Sequence, residues 1–215
     1  MTILGAILPA YVECAEAFTD VPEDRVFPTE RDAVANAIPR RRAEFATGRA
    51  CARAALHQLG IPAVAIGRGP AGAPMWPAGV VGTITHCDGY RAAAVARADD
   101  VRTLGCDAET HEPLPDGVTD LIAFGPERER IDTLTASHPE VHWDRLVFSA
   151  KESVYKAWYP LTGRWLGHEE AAVTASTDGS FEAALLIPGP GISGFSGRWF
   201  VRQGLIVTAI CVPVD

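Results

Sequence analysis

The sequence predicts an α+β fold in which mostly antiparallel sheets pack on two long helices. Three observations carry that expectation. Residues Arg40 to Leu59 and Trp143 to Tyr159 repeat apolar side chains at helical spacing, about 100° per residue. Short β-branched runs bounded by Gly, Pro or Asp-Gly fill much of the rest. Each half of the chain supplies one such helix and several such runs, a mixture that places helices against antiparallel sheets. No clear sequence repeat links the halves, so any internal symmetry would be structural only.

The chain has 215 residues, 47% hydrophobic and 21% charged, an ordinary globular composition with room for a sizeable core. Its net charge of −8 argues against a general nucleic-acid binder. The five cysteines, Cys14, Cys51, Cys87, Cys106 and Cys211, form no CxxC or Cys/His cluster, so free thiols in a reducing cytoplasm are expected. No signal peptide and no membrane-spanning run is read.

In chain order, Thr2 to Leu8 reads as a buried strand and Glu13 to Asp24 as a polar, acidic segment. Thr29 with Asp32 suggests a capped helix start running to Ala37. Pro39 opens the long helix from Arg40, and Gly60 with Pro62 stops it. Gly67 to Pro77 reads as a Gly/Pro loop. Strands are expected at Gly79 to His86, Ala92 to Ala96 and Arg102 to Glu109, with a hairpin turn at Asp88-Gly89. Short helices follow at Gly117 to Phe124 and Glu127 to Ser137. After the helix at Trp143 to Tyr159, strands are expected at Ala172 to Ala175, Phe181 to Ile187, Arg198 to Arg202 and Leu205 to Val212. Pro188 to Ser196 reads as a loop and Gln203-Gly204 as a hairpin signal.

Three charged sets stand out. Glu152 and Lys156 are neighbours on the helix face that also carries Phe148, Tyr155 and Tyr159; a surface ion pair is the alternative to a functional wall. Asp107 and Glu109 project to one side of a strand, where like charges call for a proton or a cation, magnesium being favoured; a hydrated strand-end turn is the alternative. Arg42, Arg49 and Arg53 align at spacings of seven and four with no carboxylate among them. They suit a phosphate-rich ligand, or else form a solvated face. Together with His86 these groups are the equipment of phosphoryl-type transfer.

Three blocks carry a family resemblance. They are Arg40-Arg41-Arg42-Ala43-Glu44-Phe45-Ala46-Thr47-Gly48-Arg49; Thr83-Ile84-Thr85-His86-Cys87 with Gly105-Cys106-Asp107-Ala108-Glu109; and Phe148-Ser149-Ala150-Lys151-Glu152-Ser153-Val154-Tyr155-Lys156. Over nearly the whole chain the sequence resembles the Sfp-type (EntD-like) 4′-phosphopantetheinyl transferases. The resemblance implies two similar α/β halves related by a pseudo-twofold: residues 1–104 with the coenzyme A helix, and 105–215 with the magnesium and catalytic residues. It implies magnesium-dependent transfer of the phosphopantetheine arm of coenzyme A to a serine of an apo acyl or peptidyl carrier protein, releasing adenosine 3′,5′-bisphosphate. Carried over by position, Asp107, Glu109 and Glu152 bind magnesium, Lys156 stabilises or protonates the leaving phosphate, and Glu152, directly or through a metal-bound water, helps deprotonate the serine. Arg49, Arg53 and His86 hold the adenosine phosphates, and Lys151 contacts the pyrophosphate. Phe148 replaces a common tryptophan. Cys87 replaces a serine or threonine near the phosphates. Ala71 lacks the usual preceding basic residue, for which Arg68 is the candidate substitute.

A non-catalytic coenzyme A-binding module of the same fold is the alternative function, and a magnesium-dependent phosphohydrolase a third. A cytoplasmic monomer that engages neither nucleic acid nor membrane is expected. Fatty-acid, polyketide, nonribosomal peptide and siderophore carriers are not distinguished. Leu121 to Phe124 is either an apolar docking contribution or core.

Overall fold

A computed structural model describes residues 2–188 and 191–214. Two helices of 20 residues each, α1 (Pro39–Gln58) and α4 (Trp143–Thr162), form its outer layers. Between them lie two antiparallel sheets. The first holds β1 (Glu13–Ala17), β4 (Val80–Cys87) and β5 (Tyr90–Arg97) in the order β1-β5-β4. The second holds β6 (Val101–Thr110), β7 (Ala171–Ala175), β8 (Ser180–Leu185), β9 (Gly194–Arg202) and β10 (Leu205–Pro213) in the order β6-β10-β9-β8-β7. A ribbon of β2 (Gly67–Arg68) and β3 (Pro74–Met75) follows α1. Short helices α2 (Val118–Ile122) and α3 (Pro126–Ser137) precede α4.

Each sheet is wound the same way. A first strand leads to a long helix, then to antiparallel strands whose last pairs back with the first: β5 with β1 after the β4–β5 hairpin, and β10 with β6 after the four-strand run β7–β10. The cores follow this layering. Cys51, Ala52, Ala55 and Leu56 of α1 pack on Ala93 and Val95. The opposite face of β5, Tyr90, Ala92, Ala94 and Ala96, packs on β6 and β10 through Leu104, Cys106, Ala108 and Val207. Leu146, Ala150, Val154 and Ala157 of α4 meet Ile206 and Ile210 on the far side. The small side chains of β5 let the two sheets approach closely.

Local chemistry explains the boundaries. Pro39 starts α1 where its missing N–H costs nothing. Gly163, with φ 64°, ends α4 in the left-handed conformation, its N–H donating to Tyr159 O. Gln203 and Gly204 both have positive φ and close the β9–β10 hairpin, as the sequence suggests.

The junction between the sheets uses side chains. Thr83 Oγ1 accepts from Cys106 N at 3.3 Å and Thr85 Oγ1 from Ala108 N at 2.9 Å, so β4 and β6 run alongside each other through threonines rather than a backbone ladder. On the other side of β6, Gly105 admits α4. A Cβ there would stand 2.0 Å from Ser153 O and 2.7 Å from Ala157 N. Ser149 and Ser153 then bond Thr208 Oγ1 at 2.9 and 2.7 Å, and Thr103 Oγ1 donates to Ala157 O at 2.8 Å. Helix α4 is therefore fixed in rotation as well as in position.

Some expected elements differ. Thr2 to Leu8 forms no strand; Leu4–Ile7 is a 3₁₀ turn that buries Leu4 without a partner strand. The paired strand is β1, inside the stretch read as polar. There Glu16 accepts from Ile3 N at 2.8 Å and from the Tyr90 hydroxyl at 2.8 Å, which makes an acidic residue usable in a strand. The helix expected from Thr29 is a 3₁₀ segment at Pro28–Val34, and Glu30 rather than Asp32 bonds back to the preceding chain, at Phe27 N. Strand β9 begins at Gly194, within the segment read as a loop; Gly189 and Pro190 of that segment lie outside the described residues. Residue 104, the expected division between halves, lies inside β6.

Candidate functional site

The predicted acids lie on β6 and α4, which pack closely at Gly105. Asp107 is almost fully buried. Its Oδ1 accepts from Thr85 Oγ1 at 3.1 Å and from Lys156 Nζ at 2.7 Å, while its Oδ2 is buried with no hydrogen-bond partner. Lys156 also donates to Cys106 O at 3.2 Å. Burial opposes the ammonium charge, but Asp107 and Glu152 outweigh it and raise the Lys156 pKa. The expected Glu152–Lys156 pair is therefore not a surface ion pair: the lysine turns to Asp107. Glu152 has no hydrogen-bond partner among the described residues and is half-buried. Burial raises its pKa, with Asp107 adding to the effect and Lys156 opposing it.

Glu109 stands on the same side of β6 and pairs with Arg145 Nη1 at 3.0 Å. Arg145 is itself held by Glu112 O at 3.1 Å and Pro113 O at 2.9 Å. Burial first, then repulsion from Asp107, raises Glu109 to about 7 despite Arg145. The donor chemistry fits a hard divalent cation: three carboxylates, one with a buried oxygen that no proton donor answers. Among the described residues no three acidic, imidazole or thiol groups are already gathered into a cage. A cation held here would complete its shell with water and substrate oxygens, as magnesium ordinarily does.

The cationic side differs more from expectation. Arg53 donates to both Glu30 oxygens, at 3.0 and 3.2 Å, and to Arg25 O at 2.9 Å, over the Phe27 ring. Lys151 gives its protons to Glu127 at 2.8 Å, to His168 O at 2.7 Å and to Ile122 O. Both are buried and internally satisfied. The structure does not bring Arg53 or Lys151 to the site, because long-range carboxylates invisible in the local pattern engage them. Arg42 is likewise taken by Glu23 at 2.8 Å and Ala37 O. Arg49 is buried on Ile66 O at 2.8 Å and over the Phe45 ring, and burial lowers its pKa to about 10. Arg68 is exposed, its Nε and Nη2 lying 3.3 Å from where a Cβ on Gly72 would stand, so its guanidinium covers the Ala71-Gly72 turn.

The arginine beside His86 is Arg41, which sequence reasoning left out. Its Nη1 lies 2.6 Å from His86 Nε2 and 3.3 Å from Glu44 Oε2. Glu44 also accepts from Arg40 at 3.1 Å, and His86 Nδ1 stands 3.7 Å from it. Burial, then Arg41, depresses His86 to about 4. Cys87 neighbours the acids as well. Burial, Glu109 and Asp107 push its thiol up to about 12, so it remains a neutral, weak donor. Arg41 lies eight residues before Arg49 and Arg145 seven before Glu152, spacings that return to nearly one helix face and could have signalled both. The 121–124 stretch divides: Ile122 and Ala123 are buried, whereas Leu121 is 70% and Phe124 46% exposed.

Known proteins match this chain along its length. A family model described as the 4′-phosphopantetheinyl transferase N-terminal domain matches residues 29–96, and one described as the 4′-phosphopantetheinyl transferase superfamily matches residues 103–209. The chain is 53% identical over 219 residues to 4′-phosphopantetheinyl transferase Svp of Streptomyces mobaraensis, covering 98% of this chain and 89% of that protein. It is 48% identical to 4′-phosphopantetheinyl transferase Npt of Nocardia iowensis (97% and 99% covered). It is 46% identical to 4′-phosphopantetheinyl transferase PptT of Mycobacterium tuberculosis (97% of each).

Proposed function

The chain belongs to the 4′-phosphopantetheinyl transferase superfamily, and on that premise we propose how its site works. The enzyme uses coenzyme A to phosphopantetheinylate carrier proteins, a catalytic role favoured over the binding-only module. In our reading Asp107, Glu109 and Glu152 hold magnesium, which when bound neutralises pyrophosphate charge. Arg41, Arg49 and His86 hold the adenosine phosphates, with Arg68 at the rim and the Cys87 thiol as a weak donor. Glu152 takes the proton of the acceptor serine as its oxygen bonds to the β-phosphorus. Lys156 stabilises the oxygen that departs with adenosine 3′,5′-bisphosphate.

One observation carries this reading: two acids, Asp107 through Oδ2 and Glu152, present oxygens without protein partners beside a lysine already committed to the same cluster. Leu121 and Phe124 supply exposed apolar surface for the carrier. The five free thiols suit a cytoplasmic location, and among the described residues no helix is long and apolar enough to cross a membrane.

The test is incubation with coenzyme A, magnesium and a panel of apo carrier proteins, read by the phosphopantetheine mass added. Glu152→Gln and Asp107→Asn should each lower the rate about 10²–10⁴-fold while the circular-dichroism melt persists. Undiminished transfer by either variant rejects its role. Transfer unchanged by a chelator removes magnesium from the scheme.

A further inference from the structure

We propose that Thr85 is a positioning residue that turns Asp107 so that Oδ2, rather than Oδ1, faces the reaction centre. The inference rests on the cation reading above and goes beyond it. Thr85 is about 1% exposed. Its Oγ1 accepts from Ala108 N at 2.9 Å, and the same oxygen lies 3.1 Å from Asp107 Oδ1. A hydroxyl has one proton to give. Because the backbone N–H already supplies a donor to Oγ1, that proton is directed to the carboxylate. Oδ1 then receives two donors, Thr85 and Lys156, whereas buried Oδ2 receives none. The asymmetry fixes the carboxylate against rotation and reserves one oxygen as the uncommitted acceptor. Thr85 also directly precedes His86 on β4, so a single strand carries both the imidazole proposed for the phosphates and the brace on the acid of the other sheet.

Thr83 supplies the control within the same strand. Its Oγ1 accepts from Cys106 N at 3.3 Å, but among the described residues it bonds no carboxylate. Both threonines join the sheets; only Thr85 reaches an acid. Partners of a metal-binding carboxylate typically alter affinity or activity about 10–100-fold when removed.

The experiment titrates Mn²⁺, observed by electron paramagnetic resonance, into the enzyme with coenzyme A present but no carrier. Thr85→Val should weaken Mn²⁺ about 10–100-fold and lower kcat, while Thr85→Ser restores both. Thr83→Val should lose thermal stability comparably yet bind Mn²⁺ like the parent. If Thr85→Val does not fold, Thr85→Ala is compared with Thr85→Ser. Equal affinity in the serine variant and its hydroxyl-free counterpart overturns the inference, as does equal weakening by Thr83→Val. Asp107→Asn runs in parallel. If it binds Mn²⁺ normally, or the parent binds none, the cation reading itself fails. If Asp107→Asn loses binding and the Thr85 variants do not, only the positioning role fails.

Discussion

The buried pair that braces α1 and the pair that braces α4 are built alike, yet only α4 carries an acid that no protein donor answers. On the first side, Glu30 accepts from Phe27 N at 2.9 Å, Ile66 N at 2.6 Å and Arg53 on α1. On the second, Glu127 accepts from Phe124 N at 3.4 Å, Val173 N at 2.6 Å and Lys151 on α4. Each acid stands three residues after a phenylalanine, in Phe27-Pro28-Thr29-Glu30 and Phe124-Gly125-Pro126-Glu127. Each cation lies over that ring, at 4.8 and 5.7 Å from its centroid. Each acid also binds the chain that emerges after its helix. The device clamps the segment before a long helix to the segment after it, once in each half. The difference lies in the second acid that each helix carries. Glu44 of α1 is surrounded by Arg40, Arg41 and His86. The Glu152 carboxylate of α4 feels Lys156 but accepts no side-chain hydrogen bond among the described residues. Satisfied charges hold the architecture; unsatisfied ones mark where a ligand must complete the arrangement.

The largest expected effect tests whether the clamps are equivalent. Arg53→Met and Lys151→Met each strand a buried carboxylate, which costs about 3–5 kcal/mol. Urea unfolding should show comparable losses, with the coenzyme A KM of the remaining folded enzyme little changed. A large rise in KM without loss of stability would make either residue a ligand contact and break the comparison.

A smaller effect sharpens the contrast between flanks. Arg41→Ala removes a charged contact proposed for phosphate, about 1.5–3 kcal/mol, so the KM for coenzyme A should rise roughly 10–150-fold with little change in melting temperature. An unchanged KM would show that Arg41 serves only Glu44.

The smallest effect concerns pH. His86 titrates at about 4 in the fold, below its ordinary 6.5. Between those values the unfolded chain binds the extra proton, so stability rises with pH across the window and is lost as pH falls through it. His86→Gln should flatten that part of a urea-midpoint profile. An identical slope in the variant would assign the dependence to other groups.

The legible parts of the sequence were those set by local rules. Pro39 and Gln203-Gly204 begin or end elements through their own backbone preferences. Asp107, Glu109, Glu152 and Lys156, the residues proposed for the site, stand out in the sequence because strand and helix periods place Asp107 with Glu109 and Glu152 with Lys156 on shared faces. The arginine stripe misled because periodicity reports azimuth, not partners. Arg42 and Arg53 share a face with Arg49, but Glu23 and Glu30 come from earlier in the chain to engage them. The repeated Phe-x-x-Glu clamp escaped notice for the same reason: a short, degenerate pattern gains meaning only when its distant partners are seen together.

By itself the sequence determined most of the helix and strand content, the family, and the acidic residues proposed for the site. Those follow from spacing, turn chemistry and a motif order that leaves few alternatives. Tertiary structure decided which charges are free. Gly105 lets α4 approach β6 until Lys156 bonds Asp107 rather than Glu152. Thr85 reaches across the sheet junction to take the same oxygen. Burial then raises Glu109 and Glu152. The physical reason is range: periodicity is a property of neighbouring residues, whereas desolvation and hydrogen-bond satisfaction depend on atoms that the fold brings together from separate parts of the chain.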